Sequence, residues 1–333
     1  MTACRTKYNE PRVTLSFGRI RESPFFRIIC MKKLLFIFFS IAVFLGCGKN
    51  YNEIKEQTAH ERVIQRKQDS IALKIGVLRT IDCLPMFLAK EKGWVDTARA
   101  DIRLKEMESH IEADDALKKG KLEGIVTDIV RTERMKRQGV MLSYVAATPL
   151  SWQFITNRKA RLKSLNQLTD KMIAISRFSA TAMLADIAVD SAKLKAENVF
   201  RVQINNPHTR LMMLINNEMD AVLLPEPQAT VARLAGHKVL MDSQKRDIKM
   251  GVLVFSDKAM NDTRKRAQID EFIKVYNQAC DSINRYGIAN YADVIKKHMG
   301  VDDKTVKAIP NIRFEHAASP RSKDIGMANK WLK

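Results

Sequence analysis

The sequence predicts an α/β protein of two lobes, each a mainly parallel sheet flanked by helices, with a ligand cleft at the hinge between them. Three observations lead there. Lys74–Asp96, KIGVLRTIDCLPMFLAKEKGWVD, reads as apolar strand, polar loop and helix, with Pro85 in a first turn and Gly93 as the stop. Short apolar runs then alternate with helix-patterned segments, and βαβα order builds a parallel sheet. Finally, 333 residues with 46% apolar content suffice for two ordinary domains, and the pattern changes register at Thr148–Trp152, TPLSW.

At the amino end, Met31–Cys47 is MKKLLFIFFSIAVFLGC: two lysines, an uncharged apolar run from Leu34 to Leu45, then Gly46 and a cysteine. These are the basic region, apolar region and cleavage site of a secretory signal, and the run is too short for a comfortable membrane span. The segment resembles the lipobox of bacterial lipoproteins, although Phe44 stands where leucine is preferred. That resemblance makes Cys47 the lipidated first residue of a mature protein. Met1–Cys30 has Pro11, Pro24 and scattered arginines without periodicity, so translation is expected to start at Met31, with residues 1–30 outside the fold and 31–46 as signal peptide. Gly48–Ser70, rich in Lys, Glu, Gln and Asn, is expected to complete a lipid-anchored tether over residues 47–70.

The formal charge is +20, from 57 basic and 37 acidic residues, and Met1–Gly46 contributes eight basic and two acidic of these. No RNA-binding motif or aromatic–basic interleaving accompanies the charge, so a basic surface near anionic lipid is expected and no nucleic-acid partner. Cys83 and Cys280 either pair or are buried free thiols, and no two of the five cysteines have a zinc or redox spacing. Phosphate-loop, dinucleotide and nucleophile-elbow motifs are absent and the six histidines are scattered, so no cofactor, metal or catalytic constellation is expected.

In the body, Ile102–Leu104 is a second strand and His110–Lys119 a helix with early acids and closing lysines. Leu122–Ile129 is a third strand ending in Thr127 and Asp128, and Met141–Ala147 another apolar segment. After TPLSW come strand Gln153–Thr156, a short helix Leu162–Leu168, strand Met172–Ser176, and a helix from Ser179 towards Ala192. The turn Ser176–Thr181 combines hydroxyls with unpaired helix N–H groups; it is an anion-binding nest, an ordinary N-cap at Ser179, or both. Strand Val199–Ile204, helix His208–Asn217, strand Asp220–Pro225, helix Gln228–Leu234 and strand Lys238–Met241 follow. Gly251–Phe255 is an apolar strand that returns to the first lobe, Thr263–Tyr286 a long amphipathic helix, Ala289–Met299 a shorter segment, and the rest a more polar tail. Crossings near Leu150 and Lys249 make a two-strand hinge, dividing residues 71–150 plus 250–333 from residues 151–249.

Several motifs carry a family resemblance over roughly Leu73–Gly287. Pro85, Ala89 and Gly93 match a P-x-x-x-A-x-x-x-G helix after an apolar strand, and Gly124–Asp128 a G-x-x-D-like strand end. LKSLNQLTDK resembles L-x-D-L-K-G-K, and MLINNEMDAVLLPEPQA matches a helix–strand–E-P motif with Asn217 where glycine is usual. The chain resembles the type II periplasmic solute-binding proteins of ABC transporters, in the branch that binds sulfonates, nitrate and thiamine precursors. The resemblance implies a membrane-anchored, monomeric binding protein of the cell envelope that captures a small anionic or polar solute for an ABC permease. It implies that Thr80, Asp82, Asp128, Ser151, Trp152, Ser176, Ser179, Thr181 and Glu226 line the cleft. Trp152 would be a flat wall or core, and Glu226 a ligand contact or the cap of the next helix. An enzyme on the same fold, of thiamine-pyrimidine or menaquinone synthesis, and a non-transport surface lipoprotein are the alternatives. The synthase's cysteine-rich motif is missing, and a secretion signal removes the chain from cytoplasmic substrates.

Overall fold

The computed structural model describes residues 51–333; the signal segment, the lipobox and Cys47 lie outside them. The chain divides into two units, Met1–Arg66 and Lys67–Lys333. The described part of the first lies within helix α1 (Tyr51–Ile71), in the segment expected as a tether. Lys, Glu, Gln and Arg are strong helix formers, so a segment poor in apolar anchors can still be helical.

The second unit holds two five-stranded sheets. Sheet one contains β1 (Leu73–Val77), β2 (Ile102–Glu106), β3 (Gly124–Asp128), β4 (Leu142–Ala147) and β10 (Gly251–Ser256), in the order β2-β1-β3-β10-β4. Sheet two contains β5 (Gln153–Thr156), β6 (Met172–Ile175), β7 (Phe200–Gln203), β8 (Ala221–Leu224) and β9 (Lys238–Asp242), in the order β7-β6-β8-β5-β9. Each sheet has one strand that opposes the rest. In sheet one β10 runs antiparallel to β3 and β4, and in sheet two β5 runs antiparallel to β8 and β9. These are the two strands that enter directly from the other sheet. A chain arriving from across the hinge starts at the carboxyl ends of its neighbours and can only run back along them.

The helices are α2 (Leu84–Glu91), α3 (His110–Lys118), α4 (Ile129–Arg137), α5 (Ala180–Ser191), α6 (Pro207–Ile215), α7 (Gln228–Leu234), α8 (Asp257–Asn261), α9 (Thr263–Tyr286), α10 (Ala292–Met299), α11 (Asp303–Ala308) and α12 (Ser322–Trp331). α4, α8, α11 and α12 were not anticipated, and the expected helix Leu162–Leu168 is a single 3₁₀ turn, Leu165–Gln167. α4, IVRTERMKR, hides its pattern because a buried arginine interrupts the apolar stripe. α12 lies in the segment read as polar tail and is held by tertiary contacts. Its Trp331 Nε1 donates to Asp186 Oδ2 on α5 (2.9 Å), its Asn329 Nδ2 to Glu133 Oε2 on α4 (2.7 Å), and Arg137 returns bonds to the Asn329 and Leu332 carbonyls (3.0 Å each). The C-terminal helix therefore straddles both lobes.

Three apolar clusters follow from this arrangement. One packs α2, α9 and the outer face of sheet one, another packs α6 and α7 on sheet two. The third runs through both lobes where α4, α5 and α12 meet. Cys83 and Cys280 are buried free thiols. Among the described residues no helix is long and apolar enough to cross a membrane.

The returning crossing passes close to the outgoing one at Gly251. A Cβ there would lie 2.4 Å from Leu150 Cβ and 2.4 Å from Thr148 Oγ1, and 3.0 Å from the Thr148 carbonyl oxygen. Backbone is among the obstacles, so the hinge strands would have to separate. Gly251→Ala is expected to destabilise the protein by about 2 kcal/mol or more, seen as a fall of roughly 5 °C in Tm. An unchanged Tm would show that the crossings are not packed this tightly.

Candidate functional site

The carboxyl ends of the parallel strands in both sheets converge on one seam. From the first lobe come the turn after β1, the end of β2 and Asp128 at the end of β3. From the second come the turn after β6, the segment 204–206 after β7, and Pro225–Pro227 after β8. Strand carboxyl ends feed helix amino ends, so the seam is lined with N–H groups that helices leave unpaired.

Hydrogen bonds cross the seam at several points. The Ile81 amide donates to the Glu226 carbonyl (2.9 Å) and Gln228 Nε2 to the Arg79 carbonyl (3.1 Å). The Ala180 amide donates to Asp128 Oδ1 (3.1 Å), Arg131 Nη2 to Ser176 Oγ (3.4 Å), and Asn206 Nδ2 to Glu108 Oε2 (2.9 Å). Above them the Arg134 guanidinium lies 4.1 Å from the centre of the Phe178 ring. Phe178 sits at φ +52°, a left-handed conformation that costs a bulky residue energy, in the turn that opens α5. The lobes are closed on one another.

Six of the expected cleft residues gather at this seam. Thr80 is buried on the β1 turn and lines a cavity of about 280 Å³ with Met107, Asn206, His208 and Gln228. Asp82 is fully buried; its Oδ2 accepts from Thr148 Oγ1 (3.3 Å) and its Oδ1 has no partner. Asp128 Oδ1 caps α4 through the Arg131 amide (3.0 Å) while holding the Ala180 amide across the seam. Ser176, Ser179 and Thr181 bond chiefly to one another. Ser179 Oγ donates to the Ser176 carbonyl (2.6 Å) and accepts from the Thr181 amide (3.1 Å), and Thr181 Oγ1 accepts from the Ser176 amide (2.9 Å).

The other three lie differently. Ser151 lines a separate cavity of about 270 Å³ around the crossings, with Thr148, Lys249 and Arg313. Trp152 is 1% exposed within the apolar cluster that joins the lobes, and its backbone exchanges two bonds with Ser243. The Glu226 carboxylate is consumed inside its own lobe. Oε2 takes the Thr230 amide and hydroxyl (2.9 and 2.6 Å), which caps α7, and Oε1 pairs with Arg233 (2.7 Å).

Sequence reading missed four buried polar residues of the seam. His110 Nε2, Arg131 Nε, Arg210 Nε and Gln228 Oε1 are all buried without a hydrogen-bond partner. Arg131 Nη1 pairs with Asp114 Oδ2 at 3.3 Å. Arg210 has no carboxylate at ion-pairing distance among the described residues; its Nη1 only reaches the Ile204 carbonyl at 3.4 Å. One signal was legible. Pro207, Arg210, Leu211 and Leu214 form the buried stripe of α6 at i, i+3, i+4, i+7 spacing, so the arginine occupies an apolar position.

Burial dominates the electrostatics. It pushes the carboxyls of Asp82 and Asp128 up to about 6, against the hydrogen bonds from Thr80 and Thr148 in the first case and the attraction of Arg131 in the second. Burial, with repulsion from Arg131 and Arg210, lowers His110 to about 3, so its ring is neutral. Burial and Arg131 bring Arg210 down to about 9, which leaves it a cation at neutral pH. Among the described residues no group of acidic, histidine and cysteine side chains gathers to hold a metal. The arrangement suits recognition of a small polar molecule by fixed donors and acceptors.

Known proteins fit this architecture. A family model described as NMT1/THI5 like matches residues 80–285. The ligand-binding component of an ABC-type import system from Staphylococcus aureus, solved with zinc bound, superposes with a TM-score of 0.67 at 17% identity, over 78% of this chain and 91% of that one. The alkanesulfonate-binding protein SsuA from Xanthomonas axonopodis pv. citri, bound to MOPS, gives 0.66 at 17% identity over 78% and 90%. The periplasmic nitrate-binding protein NrtA from Synechocystis PCC 6803 gives 0.62 at 12% over 75% and 74%. No curated protein matches the chain by sequence.

Asp82 offers a direct check on the electrostatics. It keeps its proton to higher pH folded than unfolded, where the value is 3.8. Between about pH 4 and 6 the folded state therefore binds more protons, and this group's contribution to stability falls as pH rises. His110 acts in the opposite sense, with the unfolded state binding more protons between about pH 3 and 6.5. A single isostere separates the two. Asp82→Asn is expected to be more stable than wild type at pH 7.5, by about 2–3 kcal/mol, and to keep only about 1 kcal/mol of that advantage at pH 4.5. A difference that does not change with pH would refute the burial of an ionised Asp82.

Proposed function

Because the chain belongs to the NMT1/THI5 like family, we propose that it is the solute-binding component of an ABC importer and works by binding rather than by catalysis. The observation that carries this reading is the seam, where two lobes joined by two crossings enclose polar groups that the protein itself does not satisfy. A buried donor or acceptor without a partner costs about 1–3 kcal/mol. A solute that supplies the missing partners recovers that energy only when the lobes are closed around it. Solute binding thus shifts the hinge towards the closed form, which a permease can distinguish from the open one.

The cleft in this reading comprises Thr80, Asp82, Asp128, Ser176, Ser179 and Thr181, with Gln228 and the buried arginines. Ser151, Trp152 and Glu226 support the hinge and the second lobe. The related structures are named as binders of an alkanesulfonate, of nitrate and, in one case, as a zinc-bound import component, so a small and predominantly anionic solute is the reading for this chain. The protein acts as a monomer in the cell envelope, outside the cytoplasm, held to a membrane by a lipid on Cys47.

Two measurements test this. Thermal melts of the full-length protein against alkanesulfonates, nitrate, bicarbonate, pyrimidines and aromatic acids are expected to give a saturable rise in Tm with one class. Ligand at one hundred times its Kd stabilises by about 2.7 kcal/mol. A well-folded protein that shifts with none of them would exclude importer function for these solutes. Separately, Cys47→Ser is expected to move the protein from the membrane fraction to the soluble one; a variant that stays with the membrane would refute the lipid anchor.

A further inference from the structure

The turn Ser176–Thr181 is the obvious place for an anion, but the folded chain fills it. The Ser179 and Thr181 hydroxyls bond within the turn, Ser176 Oγ donates to Asn205 Oδ1 (2.9 Å) and accepts from Arg131, and the Ala180 amide, the first N–H of α5, already holds a carboxylate oxygen of Asp128 from the opposite lobe. An external anion at this helix end would have to displace that carboxylate or sit beside it, against like-charge repulsion.

The unmatched positive charge lies elsewhere. Arg210 is 2% exposed and Nη1 makes one long bond to the Ile204 carbonyl; among the described residues Nε has no partner and no carboxylate pairs with the guanidinium. The charge that acts on it is Arg131, which repels it. Arg210 and Arg131 both act on His110. His110 and Arg131 belong to the first lobe and Arg210 to the second, and the bond from Arg210 Nη1 to the Ile204 carbonyl ties its guanidinium to the segment 204–206 that lines the seam. The segment leading into α6 reaches Glu108 through Asn206 (2.9 Å) and contributes Asn206, Pro207 and His208 to the wall of the 280 Å³ cavity. Arg131 differs from Arg210 in having Asp114 as a counter-ion. A buried cation with no counter-ion costs several kcal/mol, and an anion that pairs with it recovers part of that energy.

We propose that the solute captured between the lobes is an anion and that its charged group pairs with Arg210, with Arg131 and His110 beside it, rather than with the amino end of α5. This rests on the solute-binding reading, which already takes the solute as anionic, and adds to it the residue that pairs with the charge. Ser179 and Thr181 then serve to hold the turn, and Asp128 to join the lobes.

The test uses full-length protein, calorimetric titration and two matched probe sets. Butane-1-sulfonate and butyrate are the anions; butanamide and a neutral aminopyrimidine are the uncharged probes. An anion is expected to bind wild type and to lose affinity about 100-fold in Arg210→Met, as expected for a charge-assisted pair. Arg210→Lys should recover part of it, and Arg201→Met, which removes an arginine paired with Asp186 away from the seam, should change it less than threefold. Arg210→Met is also expected to melt higher than wild type without ligand, since it removes an unpaired buried charge and keeps the bulk. Tight binding of an uncharged probe that Arg210→Met leaves intact would overturn the assignment while leaving the solute-binding reading standing. A ligand-free Arg210→Met that melts well below wild type would overturn it too, by showing that the cation is satisfied internally. Binding of no probe of either kind would remove the solute-binding reading and this inference together.

Discussion

One carboxylate ties the two halves of this protein together. Asp128 ends the central strand of the first sheet, and its Oδ1 accepts the Arg131 amide at the start of α4 and the Ala180 amide at the start of α5. Each bond satisfies a donor that a helix end leaves unpaired, but the two helices belong to different lobes. The carboxyl therefore acts as N-cap and as interlobe link. Apolar packing reinforces it on one side, where α12 covers α4 and α5 together.

Around this link the interior changes character. Away from the seam the sheets are covered by aliphatic and aromatic side chains, and each lobe has its own cluster. At the seam the buried groups are Asp82, Asp114, Asp128, His110, Arg131, Arg210 and Gln228. Structural ion pairs explain only some of them. Asp114 has Arg131, and Glu226 has Arg233 outside the cluster, whereas Arg210 Nε, His110 Nε2 and Gln228 Oε1 have no hydrogen-bond partner among the described residues. Interiors seldom keep such groups without a use for them. Five of the seven buried side-chain atoms without a partner among the described residues lie at the seam; Arg201 Nε and Tyr276 Oη lie away from it.

Much of the fold was legible in the sequence. Strand Gln153–Thr156 and helix Thr263–Tyr286 are found with the bounds expected, and most other elements shift by only one to three residues at an end. Asn217 adopts φ +64°, the left-handed conformation for which the usual residue is glycine. The failures have physical causes. α4 escaped because Arg131 and Thr132 sit among its buried positions, and α12 because its stability comes from α4 and α5 rather than from its own amphipathicity. Strand-end position placed Thr80, Asp82, Asp128 and the Ser176–Thr181 turn at the seam, whereas it gave no reason to expect Arg210 and His110 buried there.

The sequence by itself determined the order of strands and helices, because apolar periodicity and helix punctuation are local. It also determined that strand ends carry the polar residues, and hence where a cleft must open. Only the tertiary structure decided which of those residues are already satisfied. The turn before α5 looked ready for an anion until a carboxylate 52 positions away was found on it, and Glu226 looked like a cleft residue until Arg233 and Thr230 claimed it. Whether a polar group is free for a ligand depends on what packs beside it, and contacts between residues far apart in the chain leave no local mark in the sequence.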